Sequence, residues 1–267
     1  MVIIMQNRID KKFKELRKQG KKAFIAFIMA GDPSLAVTKK LILELDRQGT
    51  DIIELGVPFS DPIADGPTIQ KASERGLKSK TTLTGVFNMV RDVRSETQKP
   101  IVLMLYYNLV FHYGLERFVN SAAVSGIDGA IVPDLPLEES KELRDIAKKH
   151  DFSIIHLLAP TSPMERIKDI AAVSTGFIYY VSLTGTTGPR TKLPKELSGN
   201  LRKIKKAVKK PVCAGFGIST REQVKAVSEI ADGVIVGSAI VKVIEANIGK
   251  KDLVKNVGNF VRTIKNA

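Results

Sequence analysis

Short apolar runs alternate with amphipathic segments of helical period along the chain, and this alternation constrains the fold more than any other feature. It is typical of repeated βα units built around a parallel sheet. Eight runs of this kind occur, at residues 22–30, 51–55, 101–107, 129–133, 153–159, 176–182, 211–216 and 233–237. Eight strands in 267 residues predict a (β/α)8 barrel.

The segments between the runs carry helix signals. Ser34 is a suitable N-cap and Gly49 a suitable end for the helix between the first two strands. For a later helix, Ser162 is the predicted N-cap, with Pro163 at the first helical position and Glu165 completing a capping box.

Two helices are expected in addition to the repeated units. Ile9, Phe13 and Leu16 form one apolar stripe, which predicts an extra N-terminal helix covering the bottom of the barrel. A short helix is expected after the eighth strand. No linker or change of composition divides the chain, so residues 1–267 are predicted to form one domain. An open, doubly wound sheet is the competing architecture, but the turn after the first strand lacks its glycine-rich dinucleotide signature.

Composition excludes several classes of function. No run of about 18 apolar residues and no signal-peptide pattern is present, and Cys213 is the single cysteine, so we expect a soluble, cytoplasmic protein that does not bind membranes. The formal charge of +14 is carried largely by lysines on helical faces, without an aromatic-rich basic motif, which argues against nucleic-acid binding. Without paired histidines or clustered cysteines, no metal site is expected.

A carboxylate inside the second apolar run indicates a chemical role. Glu54 shares a strand face with Ile52 in the segment "DIIEL". Burial of an unpaired carboxylate is unfavourable, so Glu54 either has a structural partner or lies at the barrel mouth with a raised pKa suited to proton transfer. Asp65 follows one loop later, either as an ordinary turn residue or as a second catalytic carboxylate.

Glycines after the seventh and eighth strands are candidates for a phosphate site. Gly215 and Gly217 lie in "GFGIS", and Gly237 lies in "GSAI", each at the start of a helix. Free amides at such positions bind phosphate in barrels of this type, although the same glycines also suit tight βα turns. The long connections at residues 56–82 and 183–194 are candidate lids.

Several longer motifs extend these observations. The segment "ELGVPFSDPIADGPTIQ" resembles the signature of the tryptophan synthase alpha chain family. The resemblance continues, in the same order, through "AFIMAGDPS", "LMLYYNLVFHYG", "VPDLPLEES", "LLAPTSP", "YYVSLTGTTG", "CAGFGIS" and "VGSAIVKVIE". It covers essentially the whole chain.

The resemblance implies a lyase that cleaves indole-3-glycerol phosphate into indole and glyceraldehyde 3-phosphate. Glu54 matches the family's acid/base carboxylate, Asp65 the second catalytic carboxylate and Tyr179 the active-site tyrosine. The residues implied to bind the indole part of the substrate are Phe27, Ile69, Tyr106, Asn108 and Ile154, and Thr187 is implied to hydrogen-bond Asp65 on closure. Those implied to bind phosphate are Gly188, Gly215, Phe216, Gly217, Gly237 and Ser238.

The resemblance also implies a tryptophan synthase beta chain as partner, in an α2β2 heterotetramer. Pro58 and Asp61 would face that partner. Pyridoxal phosphate would belong to the beta chain, and no cofactor is expected in this one. One departure concerns the sixth loop, where Leu183 stands in the place of an arginine found in many relatives.

Two rival functions remain at this stage. Indole-3-glycerol phosphate synthase is a similar phosphate-binding barrel, but it would need catalytic lysines on its strands, and the apolar runs lack them in their interiors. A basic barrel that binds RNA or an acidic protein is the alternative without catalysis, and it would show salt-sensitive affinity for nucleic acid.

Overall fold

One parallel sheet runs through the part of the chain that the computed structural model describes, residues 7–181, 195–215 and 217–265. Its strand order is β5-β4-β3-β2-β1-β9-β8-β7-β6. The strands are β1 (Ala23–Met29), β2 (Ile52–Gly56), β3 (Ile101–Met104), β4 (Gly129–Ile131), β5 (Ser153–Ile155), β6 (Leu157–Leu158), β7 (Ile178–Val181), β8 (Val212–Gly215) and β9 (Gly233–Val236).

The two edges of this sheet belong to one continuous stretch of chain. Only His156 separates β5 from β6, and these two strands occupy opposite ends of the strand order. The His156 carbonyl accepts a hydrogen bond of 3.1 Å from the Tyr179 amide, and the Ile154 carbonyl accepts one of 3.0 Å from the Thr175 amide. β5 and β6 therefore act as one interrupted strand, and the sheet closes into a barrel of eight strands. The predicted (β/α)8 fold is confirmed.

Helices surround the barrel, and the extra N-terminal helix is present. Twelve lie within the described residues: α1 (Arg8–Lys18), α2 (Leu35–Arg47), α3 (Pro67–Lys78), α4 (Leu83–Val93), α5 (Tyr107–Tyr113), α6 (Leu115–Val124), α7 (Lys141–Lys149), α8 (Met164–Val173), α9 (Lys195–Ala207), α10 (Arg221–Ser228), α11 (Ser238–Asn247) and α12 (Leu253–Lys265). None of these described helices is long and apolar enough to cross a membrane.

Alternation along the strands separates two apolar layers. Residues such as Ile25, Ile52 and Val102 point into the barrel, whereas their neighbours Ala26 and Ile53 pack beneath the helices. Both faces of a parallel barrel are covered, which is why the strands are apolar almost throughout. Any charged side chain on the inner face is therefore exceptional.

Helix α1 closes the bottom of the barrel, as its apolar stripe predicts. Ile9, Phe13 and Leu16 belong to the same cluster as the inward-facing strand residues. The start of the helix is fixed to buried Asp128, whose carbonyl accepts a 2.8 Å hydrogen bond from Asn7 Nδ2 and whose Oδ1 lies 2.9 Å from Arg8 Nη1. This arrangement leaves the opposite end of the barrel, where the strands end, for a binding site.

Three local predictions differ from the structure. Strand β3 ends at Met104, and Tyr107 already begins α5, because a short helical turn replaces the end of the apolar run. Helix α8 begins at Met164 with Pro163 as its N-cap and without a side-chain cap, so the predicted Ser162 cap is one residue early. The connection at 56–82 is only partly a loop, since it contains α3.

Candidate active site

Glu54 is a buried carboxylate on the inner face of the barrel near the carboxyl ends of the strands. It lies in β2 opposite Phe27 of β1 and Val102 of β3. Its exposed fraction is 1%, and neither carboxylate oxygen has a hydrogen-bond partner among the described residues. The structural-partner interpretation of Glu54 therefore finds no support, and the side chain is available to a ligand.

Asp65 lies close to Glu54 at the end of the loop that follows β2. A turn holds its backbone, with a 3.0 Å hydrogen bond from the Asp65 amide to the Pro62 carbonyl. Gln70 Nε2 donates to the Asp65 carbonyl at 2.8 Å. The Tyr106 hydroxyl donates to Asp65 Oδ2 at 3.1 Å. The carboxylate is thus held at the barrel mouth, immediately before α3.

Burial affects the ionisation of both carboxylates. Burial, followed by the nearby charge of Asp65, raises the pKa of Glu54 to about 8. Burial also raises the pKa of Asp65, but the hydrogen bond from Tyr106 opposes that shift. Glu54 is therefore a neutral carboxylic acid at pH 7, poised to donate a proton.

Tyr179 packs against the inner cluster of the barrel and interacts electrostatically with Glu54. It lies in β7 between Leu157 of β6 and Cys213 of β8. A methyl group at Gly215 would lie only 2.8 Å from Tyr179 Oη, so the absence of a side chain at Gly215 makes room for the tyrosine. Burial, followed by the charge of Glu54, raises the pKa of Tyr179 well above its usual value, which keeps the phenol neutral.

Two of the predicted phosphate residues lie at the start of α11. Gly237 is the N-cap of this ten-residue helix and Ser238 its first residue, and no side chain caps it among the described residues. Gly217 has a φ of +54°, a conformation that favours glycine. Phe27 connects this region to Glu54, because a methyl group at Gly237 would lie 3.3 Å from its Cβ.

The residues predicted to line the indole pocket differ in where they lie and how far they are buried. Ile69 packs against the buried cluster that contains Phe27 and Met29, and Tyr106 contacts Asp65 as described. Asn108 is exposed on α5. The residues that lie outside the described part of the chain are Thr187, Gly188 and Phe216.

Ile154 points away from the site, and its predicted role in the indole pocket needs correction. It pairs with Ala130 and packs in the outer layer beneath the helices. Leu157, on the other side of His156, packs instead against the inner cluster, as Tyr179 and Met104 also do. Strand alternation was the available signal, since a site residue must share the inner face with Ile155.

The loop between β2 and α3 also presents an apolar surface to solvent. Pro58, predicted to face a partner, is buried against α3, where a methyl group at Gly76 would lie 3.0 Å from its Cβ. Asp61 is exposed and accepts a 2.5 Å hydrogen bond from Ser60 Oγ. Ile63 is 83% exposed in the same loop.

The arrangement suits proton transfer and stabilisation of positive charge. Within the described ranges, no group of three or more histidine, cysteine or acidic side chains is placed to hold a metal ion. Neutral Glu54 lies near both Asp65 and Tyr179 and interacts electrostatically with each of them. A ligand there would meet a proton donor, a carboxylate and the amides that begin α11.

Comparison with known sequences identifies a family whose members match this chain over nearly its whole length. The family model described as tryptophan synthase alpha chain matches residues 13–267. The alpha chain of Geotalea uraniireducens is 49% identical over 259 residues, which are 97% of this chain and 97% of that protein. The alpha chain of Geobacter sulfurreducens is 49% identical over 261 residues, 98% of each.

The solved structures that this chain resembles come from the same family. Tryptophan synthase subunit alpha from Legionella pneumophila matches with a TM-score of 0.91 and 39% identity, covering 98% of both chains. A structure of the tryptophan synthase α2β2 complex from Pyrococcus furiosus matches with a TM-score of 0.87 and 40% identity, covering 92% of this chain and 98% of that one.

Proposed function

This chain belongs to the tryptophan synthase alpha chain family, and we propose that it cleaves indole-3-glycerol phosphate through Glu54 and Asp65. The products are indole and glyceraldehyde 3-phosphate. The observation that carries the proposal is Glu54 itself, a carboxylate that is 1% exposed and without a partner among the described residues. Such a group is unfavourable for stability unless a ligand uses it.

The cleavage requires one proton to be given and another taken. Protonation of indole C3 converts the ring into an iminium that accepts the electrons of the breaking carbon–carbon bond. Deprotonation of the glycerol hydroxyl on the adjacent carbon then forms the aldehyde. Glu54 can serve both steps, since it begins neutral, donates to C3 and afterwards accepts the hydroxyl proton.

Asp65 and Tyr179 complete the proposed site. Positive charge develops on the indole nitrogen when C3 is protonated, and a carboxylate beside the N–H stabilises it. Asp65 has this role, held by Tyr106 at 3.1 Å. Tyr179 stays neutral and bounds the space beside Glu54. Thr187, in the sixth loop, remains the proposed partner of Asp65 when ligand is bound.

The phosphate is proposed to bind at the amides that begin α11. Gly237 and Ser238 supply N–H groups, and the helix dipole favours an anion there. Gly188, Gly215, Phe216 and Gly217 are the further proposed members of this cradle. Phe27, Ile69, Tyr106 and Asn108 are proposed to line the indole side, with Leu157 in the place first given to Ile154.

No cofactor is proposed in this chain, because the substrate supplies its own electron sink. Pyridoxal phosphate would belong to a beta chain that consumes the indole. The chain is a lyase. The carbon–oxygen lyase class would describe the reaction of the complete tryptophan synthase, of which this chain catalyses the aldolase half. We also propose a cytoplasmic location and a single domain over residues 1–267.

A tryptophan synthase beta chain is the proposed partner, in an α2β2 assembly like that named for the Pyrococcus furiosus protein. The exposed apolar residues support a contact surface on the catalytic face. Ile63 follows β2 and is 83% exposed, and Phe111 follows β3 on α5 and is 65% exposed. Asp61 stays in this proposed contact, whereas Pro58 would act through the packing of the loop.

Ile63→Asp is expected to weaken binding of a beta chain by about 10-fold or more, because it places a charge in an apolar contact. Calorimetric titration would measure the change. Val124→Asp is the matched control, since Val124 is 69% exposed but lies at the end of α6, on the opposite face of the barrel. Equal weakening by both variants would contradict the proposed surface.

Gly215→Ala is expected to raise KM for indole-3-glycerol phosphate by about 10-fold, equivalent to about 1.4 kcal/mol. The added methyl group would lie 2.8 Å from Tyr179 Oη and 3.2 Å from Ile235 Cβ, so the tyrosine must move into the ligand space. Gly199→Ala, at an exposed position of α9, meets nothing within 4 Å and serves as the control. An unchanged KM in Gly215→Ala would count against this site.

The direct test is release of indole. The purified chain should form indole from indole-3-glycerol phosphate, slowly alone and faster with a beta chain. The rival synthase activity would form this compound from an open-chain precursor and needs strand lysines, which none of the nine described strands contains. Absence of indole release under both conditions would refute the proposal.

A further inference from the structure

Tyr106 makes contacts that binding of an indole ring does not require. Its side chain is buried, at the N-cap of α5 just after β3. The hydroxyl accepts a 2.9 Å hydrogen bond from the Ala64 amide and donates to Asp65 Oδ2 at 3.1 Å. A phenol has one proton, so the contact with Ala64 directs that proton towards Asp65.

A second contact fixes the ring of Tyr106. Phe59 stacks on it with ring centroids 5.2 Å apart and an angle of 26° between the planes. Phe59 is itself held by buried Ser73 of α3, whose hydroxyl accepts from the Phe59 amide and donates to the Phe59 carbonyl, each at 2.9 Å. The loop after β2 is therefore tied to Tyr106 at two points, through Phe59 and through Ala64.

We propose that Tyr106 is the positioning residue for Asp65 and that the ring of Phe59 holds Tyr106 in place. This inference rests on the proposed catalytic role of Asp65. Asp65 lies in a turn, where a small rotation would move its carboxylate away from the indole nitrogen. The hydroxyl of Tyr106 prevents that rotation, and the stacked ring transmits any displacement of the exposed loop to the carboxylate.

Tyr106→Phe tests the hydroxyl without removing the ring. We expect kcat for indole formation to fall by about 10-fold, in line with loss of a hydrogen bond to a charged group. KM should change little, because the stacked ring remains. Tyr113→Phe, at the other end of α5, is the matched control, since the Tyr113 hydroxyl hydrogen-bonds only Ser121 among the described residues, at 3.5 Å.

The pH profile gives a readout that a merely structural role would not move. The bond from Tyr106 favours the ionised form of Asp65, so its loss should raise the pKa of Asp65 and shift the acid limb of kcat to higher pH. The other titratable groups facing this pair are Glu54 from β2, Tyr179 from β7 and Asp134 after β4. The alkaline limb, set by Glu54, should stay in place.

A double-mutant cycle separates the inference from the proposed function. In an Asp65→Asn background, Tyr106→Phe should cause no further loss, because the two residues act as one unit. Phe59→Leu should lower kcat in wild type, and Phe59→Tyr should retain it.

Three outcomes would be decisive. A normal kcat in Asp65→Asn would refute the proposed function itself. A large loss in Asp65→Asn together with a normal kcat and pH profile in Tyr106→Phe would overturn only the positioning role. A raised KM with unchanged kcat in Tyr106→Phe would overturn it as well, since the hydroxyl would then contact the substrate directly.

Discussion

Glu54→Gln is expected to lower the rate of indole formation by about 10²-fold or more, since a positioned proton donor is typically worth 10² to 10⁴. The substituted amide keeps the size of the side chain but has no transferable proton. The wild-type carboxyl is neutral at pH 7, because burial raises its pKa to about 8, so the substitution changes no charge in the resting site. Single-turnover measurement of indole release would quantify the loss.

The control is an exposed residue of the same type on the same face. Glu139 lies in the turn after β4, and Glu139→Gln should leave the rate unchanged. Affinity for a glycerol phosphate analogue should survive in both variants, because the proposed anion site at α11 is separate from Glu54. A rate in Glu54→Gln within about two-fold of wild type would remove Glu54 from the mechanism.

Glu54→Gln should also change how the free energy of unfolding depends on pH. The Glu54 pKa is raised from 4.5 in the unfolded chain to about 8 in the folded protein. Between these values the folded state binds a proton that the unfolded state has released. The free energy of unfolding therefore falls as pH rises through this window, by roughly 3–5 kcal/mol in total.

An amide at this position does not titrate, so Glu54→Gln should lack this decline. The stability of the variant relative to wild type should increase by several kcal/mol between about pH 4 and about pH 9. Urea unfolding at both pH values would measure the difference, with Glu139→Gln as the control that follows wild type. Parallel stability curves for Glu54→Gln and wild type would mean that the Glu54 carboxyl is solvated.

Much of the fold could be predicted because its signals are local. The apolar runs coincide with the strands, and Ser34 caps α2 through its side chain. The errors occur where tertiary contacts decide the boundary. Tyr107 begins a helix because the chain turns at the barrel mouth, and neither β-propensity nor periodicity records that turn.

The parts of the site that lie on strands could be predicted from the sequence, but the contacts made by the loop could not. Period-two alternation places Glu54 on the inner face with Ile52, and the same rule applied across His156 would have selected Leu157. The contact of Tyr106 with Asp65 was not accessible, since the two residues are 41 positions apart and meet through a loop conformation. Only the folded loop brings the Phe59 ring onto Tyr106.

The closure of the barrel has a consequence for amide hydrogen exchange. The half of the sheet from β1 to β5 and the half from β6 to β9 meet along the ladder between β1 and β9, and the chain joins them again at His156. All seven residues of β1 are buried, and its amides and carbonyls engage β2 on one side and β9 on the other. Opening β1 thus separates both ladders together, which makes Ile25 and Ala26 slow-exchanging reporters of global rather than local unfolding.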